Sequence, residues 1–155
     1  MTWQFKLLIL GPMMLVMLGV SAFVFDRTGT ELGRVPFAAS RTSSVTLPLK
    51  AGEVAFWTDL DIQYEGAPPL VYHVELSQAG AVVGAATCDP LSSMSLKINW
   101  LSTSDGVTHL ERGHGQMSCT ASVPASAPTT ILATLEVNRR GGTVALKHAD
   151  LAIRQ

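Results

Sequence analysis

The chain has 155 residues, with 11 basic and 12 acidic side chains and a formal net charge of −1. Because no basic patch stands out, nucleic acids and anionic lipid headgroups are poor candidate partners. Hydrophobic residues make up 47% of the chain, which excludes a disordered protein and leaves enough apolar material for one domain with a proper core.

An uncharged and mostly apolar stretch runs from Leu7 to Phe25. As a helix it would span roughly 28 Å, about the thickness of a membrane hydrocarbon core. No charged residue interrupts it, so every helix face could meet lipid, and we predict one transmembrane anchor within residues 1–25. Lys6 precedes the stretch, and the positive-inside rule therefore places the amino terminus in the cytoplasm and the remaining chain in the periplasm or cell exterior.

A secretory signal peptide is the alternative interpretation of this stretch. Val20-Ser21-Ala22 is an acceptable cleavage triplet, and cleavage there would make Phe23 the first mature residue. The apolar run continues beyond that triplet and exceeds the usual signal core of about 7 to 15 residues, so its length favours the anchor.

One face of the predicted membrane helix carries Gly11, Leu15, Leu18, Gly19 and Ala22. Small residues let two helix backbones approach closely in lipid, so this face is a candidate helix–helix interface. The alternative is a plain anchor in which these residues face lipid.

Residues 26–44 contain Gly29, Gly33, Pro36 and a cluster of Ser and Thr. This composition predicts a tether, with an edge segment that joins the following domain near Val35 to Ala38.

Residues 45–155 alternate apolar and polar side chains between turn signals, and no stretch has the period of an amphipathic helix. Pro48 favours an edge position for the first strand, and Arg112–Gly115 has the composition of a hairpin turn. About eight or nine short strands predict an all-β, antiparallel β-sandwich or jelly roll. The predicted strands are 45–49, 53–64, 70–76 and 81–87, of which the last three form a meander, then 94–101, 107–111, 116–123, 129–137 and 144–153, the last with a β-bulge near His148 to Asp150.

Cys88 and Cys119 are the two cysteines of the chain. In an exported domain an even count favours a disulfide, and closing their loop would stabilise the fold by ~3 to 4 kcal/mol. The alternative is two separate thiols.

Three soft donors, His114, Met117 and Cys119, occur within a short segment. Imidazole, thioether and thiol suit a soft metal such as copper. The strand pattern opposes this, since it places Met117 and Cys119 in the core and reserves Cys119 for the disulfide.

Trp57, Asp59 and Asp61 share the strand face that points away from the predicted core, with the two carboxylates roughly 7 Å apart. An exposed aromatic ring beside carboxylates can bind a sugar or a partner protein, so this is the candidate binding surface. The alternative is that another part of the chain covers Trp57.

The chain contains no nucleophile elbow or other specific catalytic motif, and we expect neither an enzyme nor a cofactor. The first hypothesis is a membrane-anchored accessory or assembly subunit of an envelope membrane complex, with other membrane or envelope proteins as partners. The second is a secreted binding module for a glycan or a soft metal, released by cleavage after Ala22.

Overall fold

A computed structural model describes residues 29–37, 41–138 and 142–155. The predicted anchor and its interface residues lie outside these ranges. Within them, no helix is both long and apolar enough to span a membrane. The strands found there are β1 (Glu31–Pro36), β2 (Thr42–Leu49), β3 (Gly52–Glu65), β4 (Leu70–Gln78), β5 (Ala81–Cys88), β6 (Met94–Ser104), β7 (Thr108–Val123), β8 (Ala127–Val137) and β9 (Val144–Arg154).

The strands form two antiparallel sheets, which confirms the predicted all-β sandwich class. One sheet has five strands in the order β1-β9-β3-β7-β6, and the other has four in the order β2-β8-β4-β5. β3 lies at the centre of the larger sheet, paired with β9 on one side and β7 on the other. β2 is an edge strand, in agreement with the position of Pro48.

The core lies between the sheets and follows the period of two along each strand. On β3 the inward side chains include Phe56, Leu60 and Ile62, all at most 1% exposed, and on β4 they include Tyr72 and Leu76. Burying each large apolar side chain stabilises the fold by about 1.5–3 kcal/mol.

A buried hydrogen bond joins the two sheets inside this apolar core. Thr58 Oγ1 on β3 lies 2.9 Å from the Tyr72 hydroxyl on β4, and both residues are 0% exposed. Burial raises the pKa of the Tyr72 phenol far above its ordinary value, while the hydrogen bond from Thr58 opposes that rise. The Tyr72 hydroxyl therefore stays neutral, with Thr58 as its partner.

The predicted disulfide between Cys88 and Cys119 is present, with Cα atoms 5.3 Å apart. Cys88 ends β5 in the four-stranded sheet, whereas Cys119 lies on β7 in the five-stranded sheet. The bridge therefore links the two sheets covalently, across a sequence separation of 31 residues.

The predicted hairpin turn at Arg112–Gly115 is wrong, because β7 runs unbroken for 16 residues. The two glycines of this segment allow close packing of β6. A Cβ atom on Gly113 would lie 2.7 Å from Trp100 Cα, and one on Gly115 would lie 2.5 Å from the Leu96 carbonyl oxygen. Glycine here serves the approach of a neighbouring backbone and does not mark a turn.

Three further differences concern strand bounds and partners. Residues 26–44, predicted as a tether with an edge segment near Val35 to Ala38, contain the edge strand β1, which begins earlier than expected, and the start of β2. The expected three-strand meander is wrong, because β3 and β4 lie in different sheets and only β4 and β5 pair. The β9 register shift falls between Leu146 and His148, at the start of the range predicted for a bulge. Periodicity assigns a side chain to a face but does not name the strand beside it.

We predict that Thr58→Val lowers the free energy of unfolding by about 1–3 kcal/mol, because valine keeps the shape but leaves the Tyr72 hydroxyl without its partner. Adding Tyr72→Phe removes the orphaned group and should recover part of the loss. Urea unfolding measures both. Thr46→Val is the control, since Thr46 pairs with Thr130 in an exposed position and should change stability by less than about 0.5 kcal/mol. An effect of Thr58→Val no larger than the control would contradict the prediction.

Candidate interaction surface on the five-stranded sheet

The outer face of the five-stranded sheet carries most of the charged side chains that contact one another. Trp57, Asp59 and Asp61 point to this face, and Asp59 lies opposite Asp150 of β9 and His114 of β7. Strand pairing thus collects groups that are far apart in the chain. We call the following residues the charged face: Glu31, Arg34, Asp59, Asp61, Arg112, His148, Asp150 and Arg154.

Trp57 lies beneath the charged face and is 0% exposed. The His114 imidazole stacks on its ring with centroids 5.0 Å apart, and the Arg154 guanidinium lies 4.3 Å from the ring centre. The expectation of an exposed ring is therefore wrong, because side chains from the two adjacent strands cover it. Trp57 supports the surface but does not form it.

Arg34 is the centre of an ion-pair network across β1, β9 and β3. Its Nε lies 2.6 Å from Glu31 Oε1, and its Nη1 lies 3.5 Å from Asp59 Oδ2 and 3.9 Å from Asp150 Oδ2. Arg154 reaches Glu31 at 3.5 Å. The hydrogen bond from Arg34 lowers the pKa of the Glu31 carboxyl and raises that of Arg34 itself. Both groups are therefore charged at neutral pH.

A second set of pairs extends the charged face toward the other end of β3. Arg112 Nη2 lies 2.8 Å from Asp61 Oδ2, and His148 Nε2 lies 3.4 Å from Asp150 Oδ2. The Asp61 side chain is 19% exposed, whereas that of Arg112 is 54% exposed and that of Asp59 is 41% exposed. Arg112 and Asp59 thus offer charge to an incoming molecule while Asp61 is largely covered.

Unpaired polar atoms concentrate at this surface. In residues 29–37, 41–138 and 142–155, the buried side-chain nitrogen and oxygen atoms without a hydrogen-bond partner are Trp57 Nε1, Asp61 Oδ1, His114 Nδ1 and Arg154 Nε. All four belong to the charged face or to the Trp57–His114 stack beneath it. Each such group costs stability, so the cost is concentrated at one surface.

The three soft-metal candidates do not meet in space. His114 stacks on Trp57 at the outer face, Met117 is 1% exposed in the core, and Cys119 is bonded to Cys88. The sheet separates His114 from the other two residues. This arrangement offers no shared coordination position for their donor atoms.

The sequence did not identify most members of the charged face. Arg34, Arg112, Asp150 and Arg154 lie on three different strands, and their proximity to Asp59 arises from the order of strands in the sheet. The sequence indicated this face at one place only, where Trp57, Asp59 and Asp61 alternate with the inward residues of a single strand.

Comparisons with known proteins do not assign this chain to a family. No protein-family model matches the chain, and no curated protein matches it. A crystal structure of Aeromonas hydrophila PliG, described as a periplasmic lysozyme inhibitor of g-type lysozyme, is similar at 16% sequence identity and a TM-score of 0.32. The match covers 82% of this chain and 88% of that one. A similarity at this level carries no functional argument.

We predict that His114 makes the folded state less stable in mild acid. Burial lowers the pKa of its imidazole, and the nearby Arg154 acts in the same direction, whereas Asp59 opposes it. The unfolded chain therefore takes up the proton first as the pH falls below about 6.5, and the free energy of unfolding decreases.

Urea midpoints at about pH 7.5 and about pH 5.5 test this prediction, because histidine titrates between these values. His114→Gln should show a smaller decrease between the two pH values than the unmodified chain. His73→Gln is the control, since His73 is an exposed histidine on the other sheet, 3.0 Å from Glu136. An equal decrease for the unmodified chain and His114→Gln would show that His114 is not responsible.

Proposed function

We propose that this chain is an exported, non-enzymatic β-sandwich that serves as an accessory or assembly subunit of an envelope membrane complex. In this proposal the Leu7–Phe25 stretch anchors the chain and the charged face binds a partner protein. The observation that carries the proposal is the concentration of charged side chains and unpaired polar atoms over the covered Trp57 ring.

Fold stability gives a poor account of the charged face. Partly exposed ion pairs each contribute about 0–1 kcal/mol, whereas each buried polar atom without a partner costs about 1–3 kcal/mol. A set of residues that lowers stability at one place is typical of a binding surface. Recognition of a partner would explain why these charged and unpaired groups occur together although they lower the stability of the fold.

The chemistry of the face favours a protein partner with a matching pattern of charges. The accessible carboxylate of Asp59 lies between the arginines of β1 and β7, so neither a polyanion nor a polycation would be attracted along the whole surface. Alternating charges give specificity and steer the encounter between proteins. Arginine is also frequent among residues that dominate binding energy.

Two independent features support an oxidising compartment outside the cytoplasm. One is the disulfide between Cys88 and Cys119, because such bridges persist in secreted and periplasmic proteins. The other is the apolar stretch with Lys6 before it, which orients the following domain away from the cytoplasm.

A fusion at Gln155 to a reporter enzyme that is active only after export tests this location, and we expect an active reporter. A fluorescent protein that matures only in the cytoplasm is the matched control and should stay dark. The opposite pair of results would overturn the export proposal. An intact Met1 or Thr2 in the native protein would indicate the anchored form, whereas Phe23 as first residue would indicate the secreted alternative.

A photoreactive amino acid at position 59 of the full chain tests the charged face in living cells. We expect a discrete cross-linked product, because Asp59 is accessible at the centre of the face. The control position is Glu75, an exposed residue on the outer face of the four-stranded sheet. Arg112→Glu should reduce the product from position 59, since it reverses the most exposed arginine of the face. Equal products from positions 59 and 75, or none, would contradict the proposal.

A further inference from the structure

β6 is the longest edge strand in the part of the chain that the structure describes. It has 11 residues and pairs with β7 only. The edge strands β1 and β2 have six and eight residues and carry Pro36 and Pro48. Proline, short length, lysine and bulges all protect an edge from pairing with another chain. β6 is long and contains no proline, and its protection consists of Lys97 and a bulge at Asn99. Pairing of this edge therefore requires a partner that accommodates the bulge and the charge of Lys97.

The outer side of β6 is apolar. The register against β7 shifts between Ile98 and Leu101, and Asn99 within this shift has a φ of 49°. This bulge places both Ile98 and Leu101 on the outer face, opposite His114 and Arg112 respectively. Their exposed fractions are 40% and 47%. An apolar strip thus borders the charged face along the open edge.

The inner side of β6 carries one cation and lies beside one carboxylate. Lys97 Nζ lies 5.1 Å from the centre of the Trp100 ring. Glu111 of β7 accepts hydrogen bonds from Trp100 Nε1 at 2.5 Å and from Ser102 Oγ at 2.6 Å. Among the described residues, neither Lys97 nor Glu111 forms an ion pair. Both charges are therefore without an oppositely charged partner in this part of the chain.

We propose that β6 pairs in antiparallel fashion with β6 of a second copy of this chain, about a two-fold axis, with Ile98 of each copy opposite Leu101 of the other. In this register the apolar side chains meet on the outer face, and this contact occurs twice. The two Asn99 bulges oppose each other, so residues 96–98 of each copy pair in register with residues 101–103 of the other. The proposal concerns the β6 edge and goes beyond the proposed function of the charged face.

The same register gives charge complementarity on the inner side. Lys97 lies opposite Ser102 of the second copy, and Ser102 pairs with Glu111. The ammonium group of Lys97 is therefore directed toward the carboxylate of Glu111 in the other copy, and the two Lys97 side chains do not oppose each other. A second copy fits better than an arbitrary strand, because it supplies the apolar and the charged contacts together.

The dimer would form one continuous ten-stranded sheet with both charged faces on the same side, because the two-fold axis is perpendicular to the sheet. Pairing along one edge buries less than about 1,200 Å², which places it among weak and transient interfaces. Cross-linking in cells suits an interface of this strength.

Two full-length cysteine variants, Ile98→Cys and Leu101→Cys, test the register when they are co-expressed with different tags. Residues directly opposite in an antiparallel pair have Cα atoms about 4.5–5.5 Å apart, within disulfide range. Two copies of Ile98 would lie about 8 Å or more apart, beyond that range. We expect a cross-linked dimer that contains one copy of each tag, and little product from either variant alone.

Val82→Cys is the matched control, because Val82 is 59% exposed on the edge strand β5. Co-expressed with Ile98→Cys, it should give no dimer. Equal dimer from all combinations would reveal random collision, and no dimer from the Ile98→Cys and Leu101→Cys pair would exclude this register. Either result overturns the proposal.

A charge placed at the edge provides a second measurement that does not depend on oxidation. Ile98→Lys in the full chain should reduce the dimer yield obtained with an amine-independent photo-cross-linker at position 101 by about tenfold or more, because it replaces the apolar contact with position 101 of the other copy by a charged group that would lose water on pairing. Val82→Lys should leave the yield unchanged. An unchanged yield with Ile98→Lys would count against the β6 interface.

Discussion

β3 lies at the centre of the five-stranded sheet, and the alternation of side chains along it ties the core and the charged face to one register. Phe56, Thr58, Leu60 and Ile62 enter the core, so Trp57, Asp59 and Asp61 must lie on the opposite face. A slip of one residue would exchange the two sets and place carboxylates in the core. The Thr58–Tyr72 hydrogen bond adds a polar pair that fits one register only, and it thereby fixes the position of the charged face as well as that of the core.

The charged face owes its composition to both neighbours of β3. β9 brings Asp150 and Arg154 beside the carboxylates, β7 brings Arg112 and His114, and β1 adds Arg34 from beyond β9. The arginines and carboxylates neutralise each other in pairs, so the surface carries dense charge with little net field. Specific recognition of one partner follows more naturally from such a pattern than attraction to a whole class of charged polymers.

The sequence predicted what depends on local alternation: the all-β sandwich, the outward phase of Trp57, Asp59 and Asp61, and the edge position of β2. The disulfide followed from cysteine count and compartment. Strand pairing could not be predicted in the same way. β3 and β4 flank Gly66–Pro69 and would show the same alternation of side chains whether or not they paired with each other. The burial of Trp57 could not be predicted from neighbouring residues either, because the side chains that cover its ring, His114 and Arg154, come from strands far away in the chain.

Glycine and bulge positions account for the remaining differences. Gly113 and Gly115 have the composition of a turn, yet they lie in a long strand where β6 packs against their backbone. In a regular strand from Met94 to Leu101, the side chains of Leu96, Ile98 and Trp100 would share the inward face of Met94. A register shift between Met94 and Leu96 instead turns Ile98 outward, and the bulge at Asn99 places Leu101 on the same outer face. One-residue insertions of this kind have no reliable local signature.

The Cys88–Cys119 bridge encloses all of β6, because that strand lies between the two cysteines. While the thiols are reduced, β6 is held by its hydrogen bonds to β7 and by the packing of Met94 and Trp100 against the core. Oxidation joins Cys88 before β6 to Cys119 after it, so the segment that contains β6 becomes a closed loop between the two sheets. Closing this loop removes conformational entropy from the unfolded chain, so the disulfide makes separation of the open-edge segment from the rest of the sandwich less favourable.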